Sequence, residues 1–420
     1  MSKKKKILPE LRFPEFTNNE TWDERKLSDV LFEHKEKSTG KEEVHSVSVH
    51  KGVVNQIEHL GRVFAASNTE NYKRVLPGDI IYTKSPTGDF PFGIIKQSKV
   101  SKPVIVSPLY GVFKPETTDL GVILDAYFEY PERTINYLSS IVQKGAKNTI
   151  NIHNDTFLSK SLILPLDKKE QSKIASCLSS LDELIEAHNQ KLDLLKDHKK
   201  GLVQNLFPQE GEKAPKFRFN EFRKEGEWKK TTIDEIAKVS TGGTPESTNP
   251  EYWNGNIPWM NSGELNNKRI YSVSNFITDK GLKESSTKLI PPFCILIGLA
   301  GQGKTRGTAA INYIELCTNQ SIGSIHPNED VFDSEFLYQR IDSMYNKLRY
   351  LSSGDGGRGG LNLQIIKEFE LSLPNLKEQK KIASCLYSLD EIITEQAELI
   401  EILKQHKKGL MQRLFPKTID

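Results

Sequence analysis

One stretch of about 38 residues occurs twice in this chain, and the duplication constrains the fold more than any other feature. Residues 171–208 read QSKIASCLSSLDELIEAHNQKLDLLKDHKKGLVQNLFP, and residues 379–416 read QKKIASCLYSLDEIITEQAELIEILKQHKKGLMQRLFP. Aligned without gaps, roughly 23 of these 38 positions are identical, which is the mark of a tandem repeat. Each copy carries a seam. Ile174, Leu178, Leu181, Ile185, His188, Leu192, Leu195, Lys199, Leu202 and Leu206 step by alternating fours and threes, the heptad spacing of a helix that packs along a partner helix. Ile382, Leu386, Leu389, Ile393, Gln396, Ile400, Leu403, Lys407, Leu410 and Leu414 repeat it in register. Even the polar interruptions coincide, His188 with Gln396 and Lys199 with Lys407, as when polar seam residues fix register at some cost in stability. Two separate amphipathic helices, each on its own core, are the alternative. A narrow, sustained and duplicated seam favours pairing instead.

Outside the helices the repeat is fainter. Residues 11–30 (LRFPEFTNNETWDERKLSDV) align with 217–236 (FRFNEFRKEGEWKKTTIDEI), so that Arg12, Phe13, Glu15, Phe16 and Trp22 answer Arg218, Phe219, Glu221, Phe222 and Trp228. Between each opening and its helix lie about 140 less similar residues with short β-type runs, such as residues 104–106 (VIV) and 294–297 (CILI), broken by Gly, Pro and Asn. Residues 162–167 (LILPLD) and 371–374 (LSLP) read as the last strands before the helices, punctuated by Pro165 and Pro374. The fold class expected is therefore α+β: two globular domains, 1–165 and 209–373, alternating with a central helix (166–208) and a C-terminal helix (374–420). The helices are expected to pair as an antiparallel coiled coil with pseudo-two-fold symmetry. Joined tail to head, the two units would close into a ring.

Composition narrows the class. At 420 residues with 36% apolar content, the chain has room for two to four domains with ordinary cores. Its longest apolar run, residues 293–300 (FCILIGLA), is far short of the roughly 18 residues that span a bilayer. The basic start MSKKKKILPEL lacks the apolar stretch of a signal peptide, so a cytoplasmic location and no membrane partner are expected. Cys177, Cys294, Cys317 and Cys385 form no CxxC pair and read as free thiols of a reducing compartment. The nine histidines show no metal-binding spacing, so no metal site is expected. A net charge of +3 does not announce nucleic acid; a DNA-binding face must come from local clustering.

With these parts assembled, the chain resembles the specificity subunit of type I restriction-modification systems over essentially its whole length. The twin KIASCL…LD…HKKGL…LFP helices, the LRFPEF…W and FRFNEF…W openings and the LPLDKKEQ and LPNLKEQ junctions carry the resemblance. It implies two target-recognition domains that read a bipartite, asymmetric double-stranded DNA site. It also implies a noncatalytic subunit whose helices bind two adenine N6 methyltransferase subunits and, in the full complex, restriction subunits that translocate and cut. S-adenosylmethionine, ATP and Mg would then sit on partner subunits only, with no cofactor on this chain. Domains spaced near one DNA turn, about 34 Å, could each address one half-site, and helices of about 35 residues supply a rod of roughly 50 Å.

One motif points elsewhere. Residues 298–305, GLAGQGKT, satisfy the phosphate-loop pattern after a strand-like run; taken literally, Lys304 would reach phosphates and Thr305 would hold magnesium. A phosphate loop must open into a helix, whereas RGTAAINYIELCTNQSIG has the pattern of strands and turns. The stretch reads better as a Gly-rich turn presenting Gln302, Lys304 and Arg306, its glycines letting backbone approach a ligand closely. For DNA contact the candidates are polar and basic groups on such turns, because Arg and Lys suit guanine or phosphate while Asn and Gln suit adenine. They are Lys84 and Thr87 in KSPTGDFPFG, then Lys144, Lys147 and Asn148 in QKGAKNTIN. The second domain adds Thr244 in STGGTPESTN, the GQGKTRG trio, and Arg358 in SSGDGGRGG. Trp253 and Trp259 are expected in a core rather than against a base. No carboxylate pair or activated nucleophile declares itself, in keeping with a reader whose chemistry sits on partners.

Overall fold

The duplicated stretches are helices of 39 residues each, Lys168–Leu206 and Leu376–Leu414. A computed structural model describes residues 8–19, 22–60, 69–144, 150–301, 305–352 and 360–416. Each helix starts where the chain supplies an acceptor for its orphan amides: Asp167 accepts from the Lys169 N–H and Asn375 from the Glu378 N–H. The chain falls into two units, Met1–Asn189 with Glu398–Asp420, and Gln190–Ala397. In the first unit the start of the central helix accompanies the end of the C-terminal helix. In the second, the end of the central helix accompanies the start of the other. Opposite ends pair, so the helices run antiparallel, and the fold is the α+β alternation of two domains and two long helices.

The pairing is pinned by repeat-equivalent ion pairs. Lys407 meets Asp182 at 2.6 Å and Glu129 at 2.5 Å in the first unit, while Lys199 meets Asp390 at 2.5 Å in the second. Burial alone would depress the Lys407 ammonium, but Glu129 and Asp182 more than offset it and hold its pKa above the ordinary lysine value. A seam lysine is thus tolerated because each one has a carboxylate. Of the apolar seam, Ile174, Leu178, Ile382 and Leu386 are buried in the domain cores. Leu389 and Ile400 are buried, and Leu181, Ile185, Leu192, Leu195, Ile393 and Leu403 half-buried.

In the first unit, strands Leu31–Glu33, Gly111–Pro115, Ile80–Tyr82 and Ile95–Gln97 form an antiparallel sheet in that order. Its core takes in helix Thr118–Phe128, the central-helix residues Ile174 and Leu178, and Met411, Leu414 and Phe415. The second unit has a five-stranded sheet ordered Val239–Thr241, Ile322–Ile325, Ile295–Gly298, Ala309–Asn312 and Arg269–Ile270. A four-stranded sheet ordered Asn275–Ile277, Trp253–Met260, Leu316–Thr318 and Leu289–Ile290 packs beside it. Here the core includes Leu206, Phe207, Ile382 and Leu386. The runs VIV and CILI fall in strands Val104–Val106 and Ile295–Gly298.

Each domain is joined to its helix by the same clamp. The opening strand pairs antiparallel with the last strand, Asp23–Lys26 with Ser161–Leu164 and Lys229–Thr232 with Glu370–Leu373. The opening arginine then forms a bidentate pair with the first-turn glutamate of the helix: Arg12 with Glu170 at 2.6 and 2.7 Å, Arg218 with Glu378 at 2.7 and 2.6 Å. The neighbouring glutamine donates to the proline carbonyl before the helix and accepts from a helix N-cap of its own domain. Gln171 bonds Pro165 and Thr117, and Gln379 bonds Pro374 and Asp333. Far ends are held alike: Arg133 donates to the Met411 carbonyl over the Phe415 ring, and Arg340 to the Pro208 carbonyl over Phe207.

Candidate nucleic-acid interface

In the second unit the Gly-rich loops converge because of strand direction. Ile295–Gly298 is antiparallel to both Ile322–Ile325 and Ala309–Asn312, and Thr241 lies opposite Gly323. The end of Val239–Thr241, the start of Ile322–Ile325 and the turn after Gly298 therefore share one end of the sheet. Backbone hydrogen bonds stitch the loops together there: Gly243 donates to Thr318, Leu299 to Ser321, Gly307 to Gly298, and Leu361 to Leu299, at 2.8–3.1 Å. Thr244 is exposed, and its hydroxyl donates to Gln320 Oε1 at 2.6 Å. Gln320, half of the Asn-Gln pair that opens Ile322–Ile325, is exposed too. Gln320 is not among the residues singled out from the sequence; the missing signal was its long-range partner in the STGGTP loop.

Three glycines in these loops are required by the protein's own packing. A Cβ at Gly242 would lie 1.8 Å from the Thr318 carbonyl oxygen, one at Gly243 2.3 Å from Ser286 Oγ, and one at Gly298 2.3 Å from the Thr305 carbonyl oxygen. Close approach is by the protein's own backbone, so these positions build the loop platform. Trp259, 7% exposed, donates to the Gly243 carbonyl and Trp253 to the Glu246 carbonyl, and the two rings meet edge to face at 5.0 Å. Both tryptophans brace the STGGTPESTN loop from the core side. The GLAGQGKT run leads through a turn at 305–307 into Ala309–Asn312, paired antiparallel with Ile295–Gly298. A phosphate loop would open into a helix at this point.

Arg306 is half-buried in that turn. Gln302, Lys304 and Arg358 lie outside the described residues. In the first unit Lys84 and Thr87 sit on the loop joining Ile80–Tyr82 to Ile95–Gln97. Lys84 is half-buried with φ +55°, and burial, followed by the nearby Lys73, holds its ammonium below the usual lysine range. Thr87 is exposed on a tight turn in which its N–H and carbonyl pair with Phe90. Lys144 ends the short strand Gln143–Lys144, paired with Ile150–Asn151; Lys147 and Asn148 between them lie outside the described residues. Three residues past that hairpin, Asn154 donates to Glu33 at 2.5 Å, tying it to the end of the sheet where the Lys84 loop also emerges. In the first unit the Lys84 loop thus shares a sheet end with Asn154 at a helix start; in the second the segments around Thr244, Gln320 and Arg306 share one, with Asn362 starting a helix beside Leu361.

Among the described residues no group of three or more His, Cys, Asp and Glu could hold a metal ion. Burial pushes the Cys294 and Cys317 thiols up to about 12, which keeps them protonated and unreactive; all four cysteines are free. No helix among the described residues is long and apolar enough to cross a membrane.

Residues 225–405 match the family model for the type I restriction modification DNA specificity domain. The chain is 32% identical over 194 residues to the type I restriction enzyme MjaIX specificity subunit of Methanocaldococcus jannaschii, covering 45% of this chain and 44% of that protein. It is 29% identical over 179 residues to the EcoR124I/EcoR124II specificity subunit of Escherichia coli, covering 42% and 44%. Both matches span less than half the length of the relative. In fold the chain is similar to the S subunit of a type I restriction-modification system from M. genitalium, with TM-score 0.63 and 14% identity over 98% of this chain and 100% of that one.

Proposed function

We propose, from its resemblance to type I restriction-modification specificity subunits, that the chain is a member of that family and the noncatalytic, cytoplasmic DNA-reading subunit of such a complex. Each unit addresses one half of a bipartite, asymmetric site. The observation that carries this reading is the gathering of polar, Gly-rich loops at one sheet end of the second unit, with the Lys84 loop at a sheet end of the first, on clamps that repeat residue for residue. Loops on a rigid scaffold suit base reading. In the second unit the Thr244 hydroxyl orients the Gln320 amide, a group suited to an adenine edge.

The helices carry the other half of the proposal. Leu184 and Ile402 are exposed in the first unit, and their repeat equivalents Ile392 and Leu194 in the second. Such residues beside a half-buried seam suit docking of one methyltransferase subunit per unit, with restriction subunits joining through these. S-adenosylmethionine, ATP and Mg belong to those partners in this reading. A partner that methylates adenine must flip it, so this chain holds the duplex in place.

Sequencing the modified adenines in cells that express the chain with its methyltransferase tests the reading directly. A split motif of two unlike halves is expected; no motif, or loss of binding to every split duplex at low salt, where DNA affinity is highest, would refute it. ATP hydrolysis by the isolated chain that Lys304→Ala abolishes would refute it in favour of nucleotide chemistry. A seven-residue insertion at matching levels of both helices adds about 10 Å and should widen the unread gap by about 3 base pairs with both half-sites unchanged.

A further inference from the structure

The four-stranded sheet of the second unit ends where the Gly-rich loops of the five-stranded sheet gather. Its strand Leu316–Thr318 runs parallel to Trp253–Met260, with Thr318 opposite Met260, and antiparallel to Leu289–Ile290, with Leu289 opposite Cys317. Lys288, the residue before Leu289, therefore comes level with Thr318, just short of Gln320. The STGGTP loop closes the same corner from the other sheet. Gly243 donates to the Thr318 carbonyl, and a Cβ on it would fall 2.6 Å from the Ser286 carbonyl carbon. Gly242 and Gly243 are thus pressed between Thr318 and Ser286, and this contact, which any side chain would break, sets the Ser286–Lys288 segment beside the Thr244–Gln320 pair.

The segment is ordered from within as well. The Ser285 hydroxyl donates to Thr287 Oγ1 at 2.8 Å and accepts from the Thr287 N–H at 3.2 Å, and Thr287 is buried. What this turn leaves in solvent is Ser286 and Lys288. Other cations around the two sheets are neutralised: Lys268 pairs with Asp342, Arg269 with Glu335 and Asp390, and Lys280 with Glu251. Among the described residues Lys288 has no ion-pair partner. A lysine held without a carboxylate on an ordered turn is a point charge available to an outside anion. Beside an exposed Thr–Gln pair, the anion that fits is a DNA phosphate, because phosphate contacts set the register in which neighbouring amides meet base edges.

We propose that Lys288 is a phosphate contact that sets the second unit on its half-site, gripping the backbone of the nucleotides whose base edges Gln320 meets. This rests on the DNA-reading function proposed above. The test is binding of split and unrelated duplexes by the full chain with its methyltransferase subunit, followed from about 50 to about 200 mM salt. Lys288→Ala should weaken both kinds of duplex alike, about five- to tenfold at low salt, and reduce the steepness of log K against log salt by about 1. Base preferences at both half-sites and the melting temperature should stay as they were, and Lys288→Arg should restore affinity and steepness together. Unchanged affinity and steepness in Lys288→Ala, as for a lysine that only guards the edge strand Leu289–Ile290, overturn the assignment and leave the DNA reading standing. A loss confined to one base pair of one half-site, with the steepness intact, also overturns it, because Lys288 would then read a base. A wild-type chain that retains no duplex at low salt overturns the DNA reading and this inference with it.

Discussion

The clamp at the base of each domain and the loops at its far end are built on opposite terms. Arg12–Glu170 and Arg218–Glu378 are bidentate with distances that agree within 0.1 Å, and all four side chains are 11% exposed or less. The loops share a position and little else: a tight Thr87–Phe90 turn tips one unit, and a glycine-bearing turn stitched to Ser321 and Leu361 tips the other. A buried ion pair tolerates no substitution of one partner, whereas an exposed turn tolerates many. Divergence concentrates where burial imposes the least.

The largest expected effect breaks the clamp. Glu170→Gln and Glu378→Gln should each cost about 3–5 kcal/mol, because each leaves a buried guanidinium uncompensated. Urea unfolding of the two variants should give similar losses; a gap of more than about 1 kcal/mol would mean that the clamps are not equivalent. Trp22, which donates to Glu170 at 3.1 Å, is one source of a smaller difference, of about 1 kcal/mol.

A medium effect separates loop from clamp. In DNA binding with the methyltransferase, Gln320→Ala should weaken discrimination at one base of one half-site by about 1–3 kcal/mol, with the other half-site and the melting temperature unmoved. A uniform loss of affinity for all sequences would place Gln320 on the phosphate backbone instead.

The smallest effect is in pH. His34 is bonded to Asp79 at 2.9 Å, and that hydrogen bond outweighs burial and, with Asp79, Glu36 and Glu33, raises its pKa. A raised histidine contributes stability that is complete below the unfolded value of about 6.5 and is lost as pH rises through the folded value. His326, bonded to Ser240 at 2.7 Å, is shifted the other way by burial and by Lys238. Its contribution is present above about 6.5 and is lost as pH falls toward the folded value. Lowering the pH should therefore slow hydrogen exchange in Ile80–Tyr82 relative to Ile322–Ile325. His34→Gln and His326→Gln should each flatten the trend in their own unit, and variants that leave both trends intact would show that neither histidine drives it.

Local order was legible in the sequence. Heptad spacing marked the two helices, the duplication marked their equivalence, and prolines, glycines and β-branched runs marked the strands before them. The opening arginines and the KEQ junctions stood out as repeated letters, but that Arg12 grips Glu170 across 158 positions is a matter of chain closure. The same applies to the Thr244–Gln320 bond, to Gly242 lying against Thr318, and to Lys288 coming level with Thr318.

What the sequence determined by itself was periodicity and repetition, because helix and strand periods and their burial patterns are properties of neighbouring residues. Only the tertiary structure decided which loops share a sheet end, whether a glycine serves a ligand or its own fold, and which lysines find a carboxylate. Those outcomes depend on strand order and direction, which are set by pairings between residues far apart in the chain.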